Sequence, residues 1–143
     1  MSDHNLFDVI ELIYDYQLLC SKRDALGIEL SDDERGRVMG LGRLLEDHAS
    51  NGPARRSWAR VELHGPVQFT TVGGFGVADL SDIGGGGLAV TTRKPLPFGT
   101  RTVIRFVDYS AGREFIFPCR VVWSQQSAAL QMGLAFDGVP LRT

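Results

Sequence analysis

Cysteine and histidine are scarce in this sequence of 143 residues, which holds two cysteines, Cys20 and Cys119, and three histidines, His4, His48 and His64. Two thiols so far apart make no disulfide framework, so buried or partly buried free thiols in a reducing compartment are expected. The histidines are scattered, without metal-ligand spacing, so no metal site is expected. No apolar run approaches the roughly 18 residues of a membrane span, so no membrane insertion is expected either. The opening stretch MSDHNLFDVIELIYDY is acidic and lacks the basic start and small-residue cleavage site of a secretory signal. Together these absences point to the cytoplasm.

Catalytic signatures are missing too. There is no G-x-S-x-G elbow, no H-E-x-x-H and no Ser/His/Asp grouping. The glycine-rich stretches GGFG and GGGG are not followed by Lys-Ser/Thr, and neither opens a helix after a strand, which excludes P-loop and dinucleotide-binding readings. No catalytic residue and no cofactor are expected, and an enzyme is the least supported class. An obvious series of exposed aromatics for base stacking is absent, which argues against nucleic acid as a partner.

What is present suits one modest core with at most a small extension: 43% hydrophobic and 22% charged residues. Net charge is −2, unevenly spread: residues 1–50 carry five Lys and Arg against eleven Asp and Glu, and residues 51–143 carry ten against six. A basic body of this kind can attract an anionic ligand. Residues 6–22 set Leu6, Ile10, Ile13, Gln17 and Cys20 at helical spacing, with Val9, Tyr16 and Leu19 on a neighbouring strip. Gly27 ends that pattern. Ser31 and Glu34 then form a capping box for a second helix from about Asp32 to about His48, with Val38, Leu41 and Leu45 as its stripe. Residues 1–48 thus read as a helical hairpin that cannot bury both stripes alone. It must dock on the body, on another chain in a homodimer, or on a protein partner.

Residues 49–60 read as a linker opened by the breakers Gly52 and Pro53. From 61 to 143 the period changes to two. VELHGPVQFT reads as a strand bent at Gly65-Pro66, followed by GVADLS, GLAVTT, TRTVIRFVDY, EFIFPCRVVWS and ALQMGLAF. In the fifth, Phe115, Phe117, Cys119, Val121 and Trp123 form one apolar face. Leu130, Met132, Leu134 and Phe136 do the same in the sixth. Six short strands with regular turn signals indicate a small antiparallel barrel or sandwich.

Two clusters carry the chemistry. RRSWAR holds Arg55, Arg56 and Arg60 around Trp58; guanidinium groups bind phosphate bidentately and stack on flat bases. The second is D-x-S-x-x-G at Asp79, Ser81 and Gly84. A carboxylate can accept from a guanine edge, a hydroxyl can donate or accept, and glycine lets a ring approach the strand. Each cluster alone is common: a basic linker, and ordinary hairpin chemistry.

Together, with RRSWARVEL, VADLS, GLAVTTRKPLPFGT, CRVVW and MGLAF in this order, the chain from about Arg55 to Phe136 resembles a PilZ domain. The resemblance implies a six-stranded antiparallel PilZ-like β-barrel preceded by the α-helical hairpin. It also implies a receptor for the bacterial second messenger c-di-GMP, with the hairpin as an adaptor surface. By that resemblance Arg56 and Arg60 clasp phosphates and stack on guanines, with Arg55 as a third basic contact. Asp79 and Ser81 hydrogen-bond a guanine edge, and Gly84 and Gly85 leave room for the base; Trp58, Asp82 and Gly87 are further candidates. Two registers fit the glycine run. In the first, Asp79, Ser81 and Gly84 are the motif, with three residues inserted before the next strand. In the second, Asp82, Gly84 and Gly87 hold those places. The second lacks the serine, and an unmade hydrogen bond at a buried polar edge costs about 1–3 kcal/mol. It corresponds to the alternative of a degenerate relative that binds no c-di-GMP and serves as an interaction or dimerisation module.

Overall fold

In the computed structural model, which describes residues 2–46, 60–71, 73–125 and 130–143, the helical period of the first half becomes two helices, α1 (Ser2–Asp24) and α2 (Asp32–Glu46). The expected end of the second helix at His48 lies outside the described residues. The capping box forms: the Ser31 hydroxyl accepts the Glu34 N–H at 3.1 Å, and the Glu34 carboxylate accepts the Ser31 N–H at 3.0 Å. Glu34 also pairs with Lys22 at 2.6 Å, tying α2 back to α1. That ammonium, with the Ser31 N–H, holds the Glu34 carboxyl below the usual carboxylate range.

The period-two segments become β1 (Arg60–Thr71), β2 (Gly74–Gly84), β3 (Gly87–Thr91), β4 (Arg101–Asp108), β5 (Arg113–Gln125) and β6 (Gln131–Phe136). They pair in the order β4-β1-β2-β3-β6-β5, and β5 returns to β4, so the sheet closes into a six-stranded antiparallel barrel. A seventh strand that periodicity does not announce, β7 (Leu141–Arg142), adds to β5. β1 is bent where Gly65-Pro66 predicts, with its register shifting between Glu62 and Gly65.

Alternation sends Val67 and Phe69 of β1, Leu80 of β2, Ile104 and Phe106 of β4, and Phe115, Phe117, Cys119 and Val121 of β5 into the core. Trp123 departs from the expected apolar face. The β5–β6 register shifts between Val121 and Trp123, and the indole is 39% exposed, lying over Gly133. A bulge adds a residue to one strand and turns the following side chains to the other face. Both cysteines are free thiols. Burial pushes the Cys119 thiol far up and, to a lesser extent, raises Cys20 as well.

Of the three surfaces open to the hairpin, α1 takes the body. Leu6, Phe7, Ile10, Ile13 and Tyr14 belong to the same buried cluster as the strand residues. Phe7 stacks on Phe115 with centroids 6.4 Å apart, and Tyr14 meets the same ring edge-on at 5.9 Å. Glu11 bridges Arg113 and Arg142, and the Ser21 hydroxyl donates to the Gly138 carbonyl at 3.2 Å. α2 is held more lightly, with Val38 and Leu41 half-buried and Arg37 paired to Asp15 at 3.0 Å. No described helix is long and apolar enough to cross a membrane.

One buried carboxylate ties the β4–β5 turn. Asp108 accepts from the Ser110 hydroxyl at 2.9 Å, the Ala111 N–H at 3.3 Å and the Arg113 guanidinium at 3.1 Å. Burial alone would raise its pKa; those hydrogen bonds and the Arg113 charge outweigh it and hold the carboxyl below its ordinary value. A depressed folded-state pKa contributes stability above the unfolded value of about 3.9 and loses it as pH falls through the folded one. Thermal melts followed by circular dichroism are therefore expected to show a midpoint that drops below about pH 4. Asp108→Asn should melt lower at neutral pH and decline less steeply on acidification; an acid limb unchanged by the substitution would remove Asp108 as a contributor.

Candidate functional site

β2 carries the second cluster. Its alternation turns Ala78 and Leu80 inward and leaves Val77 and Asp79 exposed. Asp79 stands opposite Thr91 of β3. The pairing then shifts between Leu80 and Asp82, so Ser81 is the extra residue of a bulge before Asp82 meets Ala89 and Ile83 meets Leu88. The Ser81 hydroxyl lies 3.2 Å from the Thr91 hydroxyl. Asp79, Ser81 and Thr91 thus gather polar groups on the outside of one hairpin, while Leu80, Ile83 and Leu88 anchor it from inside.

The glycine run follows directly. Gly84 closes β2, Gly85 and Gly86 make the turn, and Gly87 opens β3. None of the four takes a positive φ, so the turn does not need glycine for its backbone angles. The reason at Gly87 is space: a Cβ there would overlap the Leu134 carbonyl oxygen of β6, with the Ala135 Cα at 3.1 Å. Gly84 and Gly85 are buried. Gln17 of α1 donates its side-chain amide to the Gly85 carbonyl, and the Phe136 N–H donates to the Gly86 carbonyl at 2.9 Å. The turn is fixed from two sides.

The first cluster approaches from β1. Arg60 opens that strand opposite Gly84, so the backbone of the last motif arginine runs beside the end of the D-x-S-x-x-G stretch. Two motifs separated in sequence meet across one strand pairing. Arg55, Arg56 and Trp58 lie outside the described residues. Asp82 is half-buried on the same strand, facing Glu62 of β1 in register.

Two participants escaped sequence reasoning. Thr91 is an ordinary strand residue until the β2–β3 register is known. Gln17 did leave a signal, as a polar residue on the apolar stripe of α1, but its target 68 positions away in sequence could not be read.

The family model of the PilZ domain matches residues 54–143. Among solved structures, the chain is similar to the crystal structure of the PilZ domain of CeSA from a cellulose-synthesizing bacterium. That likeness has 24% identity and a TM-score of 0.46, and covers 55% of this chain and 79% of that one. No curated protein matches the sequence.

Proposed function

The chain belongs to the PilZ domain family, whose known role is binding c-di-GMP, and on that premise we propose that it is a cytoplasmic c-di-GMP receptor that acts as an adaptor without catalysing a reaction. One observation carries the reading: the exposed Asp79, the Ser81–Thr91 hydroxyl pair and the buried glycine turn adjoin the start of β1, where the arginine motif enters. In this reading Arg56 and Arg60 hold the phosphates bidentately and stack on the guanines, with Arg55 adding charge. Asp79 accepts from the N–H groups of a guanine edge, and Ser81 adds a hydroxyl contact that Thr91 orients.

The adaptor action follows from unequal anchoring. α1 is fixed in the core, whereas α2 rests on half-buried Val38 and Leu41 and on ion pairs. Ligand that draws residues 49–60 toward the barrel pulls on the end of α2, so α2 changes its angle while α1 stays. Differential affinity of ligand for the two arrangements supplies the switch. The partner, a second copy or another protein, would meet the outer face of α2, where Met39 is 61% exposed.

Calorimetric titration of the whole chain with c-di-GMP at low salt is the test. A saturable exotherm with Kd in the low micromolar range, about −8 kcal/mol, is expected. Absence of heat at tens of micromolar would sink the reading.

A further inference from the structure

β2 outlasts β3. Their last pairing is Asp79 with Thr91, after which the chain leaves the sheet through residues 92–96 while β2 extends back to Gly74. Gly74–Ala78 therefore pair with β1 on one side and, among the described residues, with no strand on the other. On that open side the Val77 carbonyl accepts from the Thr92 hydroxyl at 3.0 Å. The N–H and C=O of a strand residue point the same way, and the pattern repeats every second residue. Val77 and Phe75 thus turn their main-chain groups toward the gap.

The gap is a groove of about 1070 Å³ between this edge and the 92–96 connector. Phe75 and Val77 stand along it at 66% and 65% exposure. Arg93 and Lys94 form its rim, exposed and without an ion-pair partner among the described residues. Asp79 is the one carboxylate in its described lining. An edge with no strand beside it is a template for another extended chain, and natural sheets guard such edges with lysine, proline or a covering loop; GFGVA carries neither of those residues, and the connector meets it at the Val77 carbonyl through the Thr92 hydroxyl, which an added strand would displace.

We propose that this groove docks an extended peptide segment of a partner protein, which adds a strand to β2, sets apolar side chains over Phe75 and Val77, and offers acidic ones to Arg93 and Lys94. These two exposed cations, without an ion-pair partner among the described residues, choose the occupant. A second copy meeting edge to edge would bring two such pairs of cations into one interface. The proposal does not depend on c-di-GMP binding, although Asp79 borders both surfaces.

The probe is a fluorescein-labelled peptide of about ten residues alternating valine and glutamate, long enough for one strand. Two controls accompany it: the same peptide with lysine for glutamate, and one whose pairing-edge amides are N-methylated. The whole chain is expected to bind the acidic peptide with Kd of about 10–100 µM. Binding should weaken about tenfold in the Arg93→Glu, Lys94→Glu double variant and fall with added salt. Amide hydrogen exchange at Phe75 and Val77 should slow on binding. No saturable binding up to about 1 mM overturns the proposal. So does equal affinity for the lysine peptide, or undiminished affinity for the N-methylated one. Sedimentation that reveals a dimer, abolished by Phe75→Ser, would assign the edge to a second copy instead.

Discussion

Gly87→Ala is expected to lose about 3 kcal/mol of folding stability, measured by urea unfolding. The added methyl cannot be relieved by a side chain that swings away. It points at the main chain of β6, at the Leu134 carbonyl and the Ala135 Cα, on the strand that pairs with β3. Relief would require β3 and β6 to separate at the pair Gly87 and Ala135, next to the buried Leu88 and Leu134. Gly36→Ala supplies the opposite sign. That glycine lies inside α2 with open space where a Cβ would go, so alanine should stabilise the helix by about 0.5–1 kcal/mol. A Gly87→Ala midpoint indistinguishable from wild type would mean that β6 yields at little cost. The fold thus gives Gly87 a reason to be glycine that owes nothing to a ligand.

On the proposed reading, Arg56→Ala should weaken c-di-GMP binding by at least about a hundredfold, because one bidentate phosphate contact and one stacking surface disappear together. Asp79→Ala should cost about ten- to a hundredfold, the range of a charge-assisted hydrogen bond worth about 1.5–3 kcal/mol. Asp82→Ala should cost less than about threefold under the register of Asp79, Ser81 and Gly84. Calorimetry on the three variants reads all of this, and the exposed position of Asp79 predicts an unfolding midpoint unchanged by its removal. A reversed order, with Asp82 indispensable and Asp79 dispensable, would transfer the site to the second register. Equal indifference of both would remove the carboxylates from ligand recognition.

The parts of this molecule that local chemistry dictates were legible in the sequence. The Ser31–Glu34 capping box is a four-residue event and forms as read. The strands announce themselves through side chains that alternate on their own backbone, and the bend at Gly65-Pro66 follows from two residues. What the sequence withheld belongs to pairs of elements. The bulges at Ser81 and after Val121 arise from how one strand meets its neighbour, so Trp123 was expected inside and lies partly outside. The apolar stripe of α1 told that the helix needs a cover but not that Phe115 is part of it. β7 has two residues, too few for any period. For the site, Asp79 and Ser81 were named from their spacing. Their hydroxyl neighbour Thr91 and the link from Gln17 to the glycine turn depend on the completed barrel.

The clasp of α1 around the far end of the barrel bears on how the chain is made. Glu11 waits for Arg142, Ser21 for the carbonyl of Gly138, and Phe7 for Phe115. A ribosome adding about 5–20 residues per second needs on the order of ten seconds between the first and last of these partners. During that interval Leu6, Ile10 and Ile13 have no finished wall to cover them. Contacts this distant in sequence place the molecule among slow folders despite its helical start. The nascent helix thus emerges before the residues that cover it, and variants of Glu11 or Arg142 should reveal themselves in the yield of refolding before they do in ligand affinity.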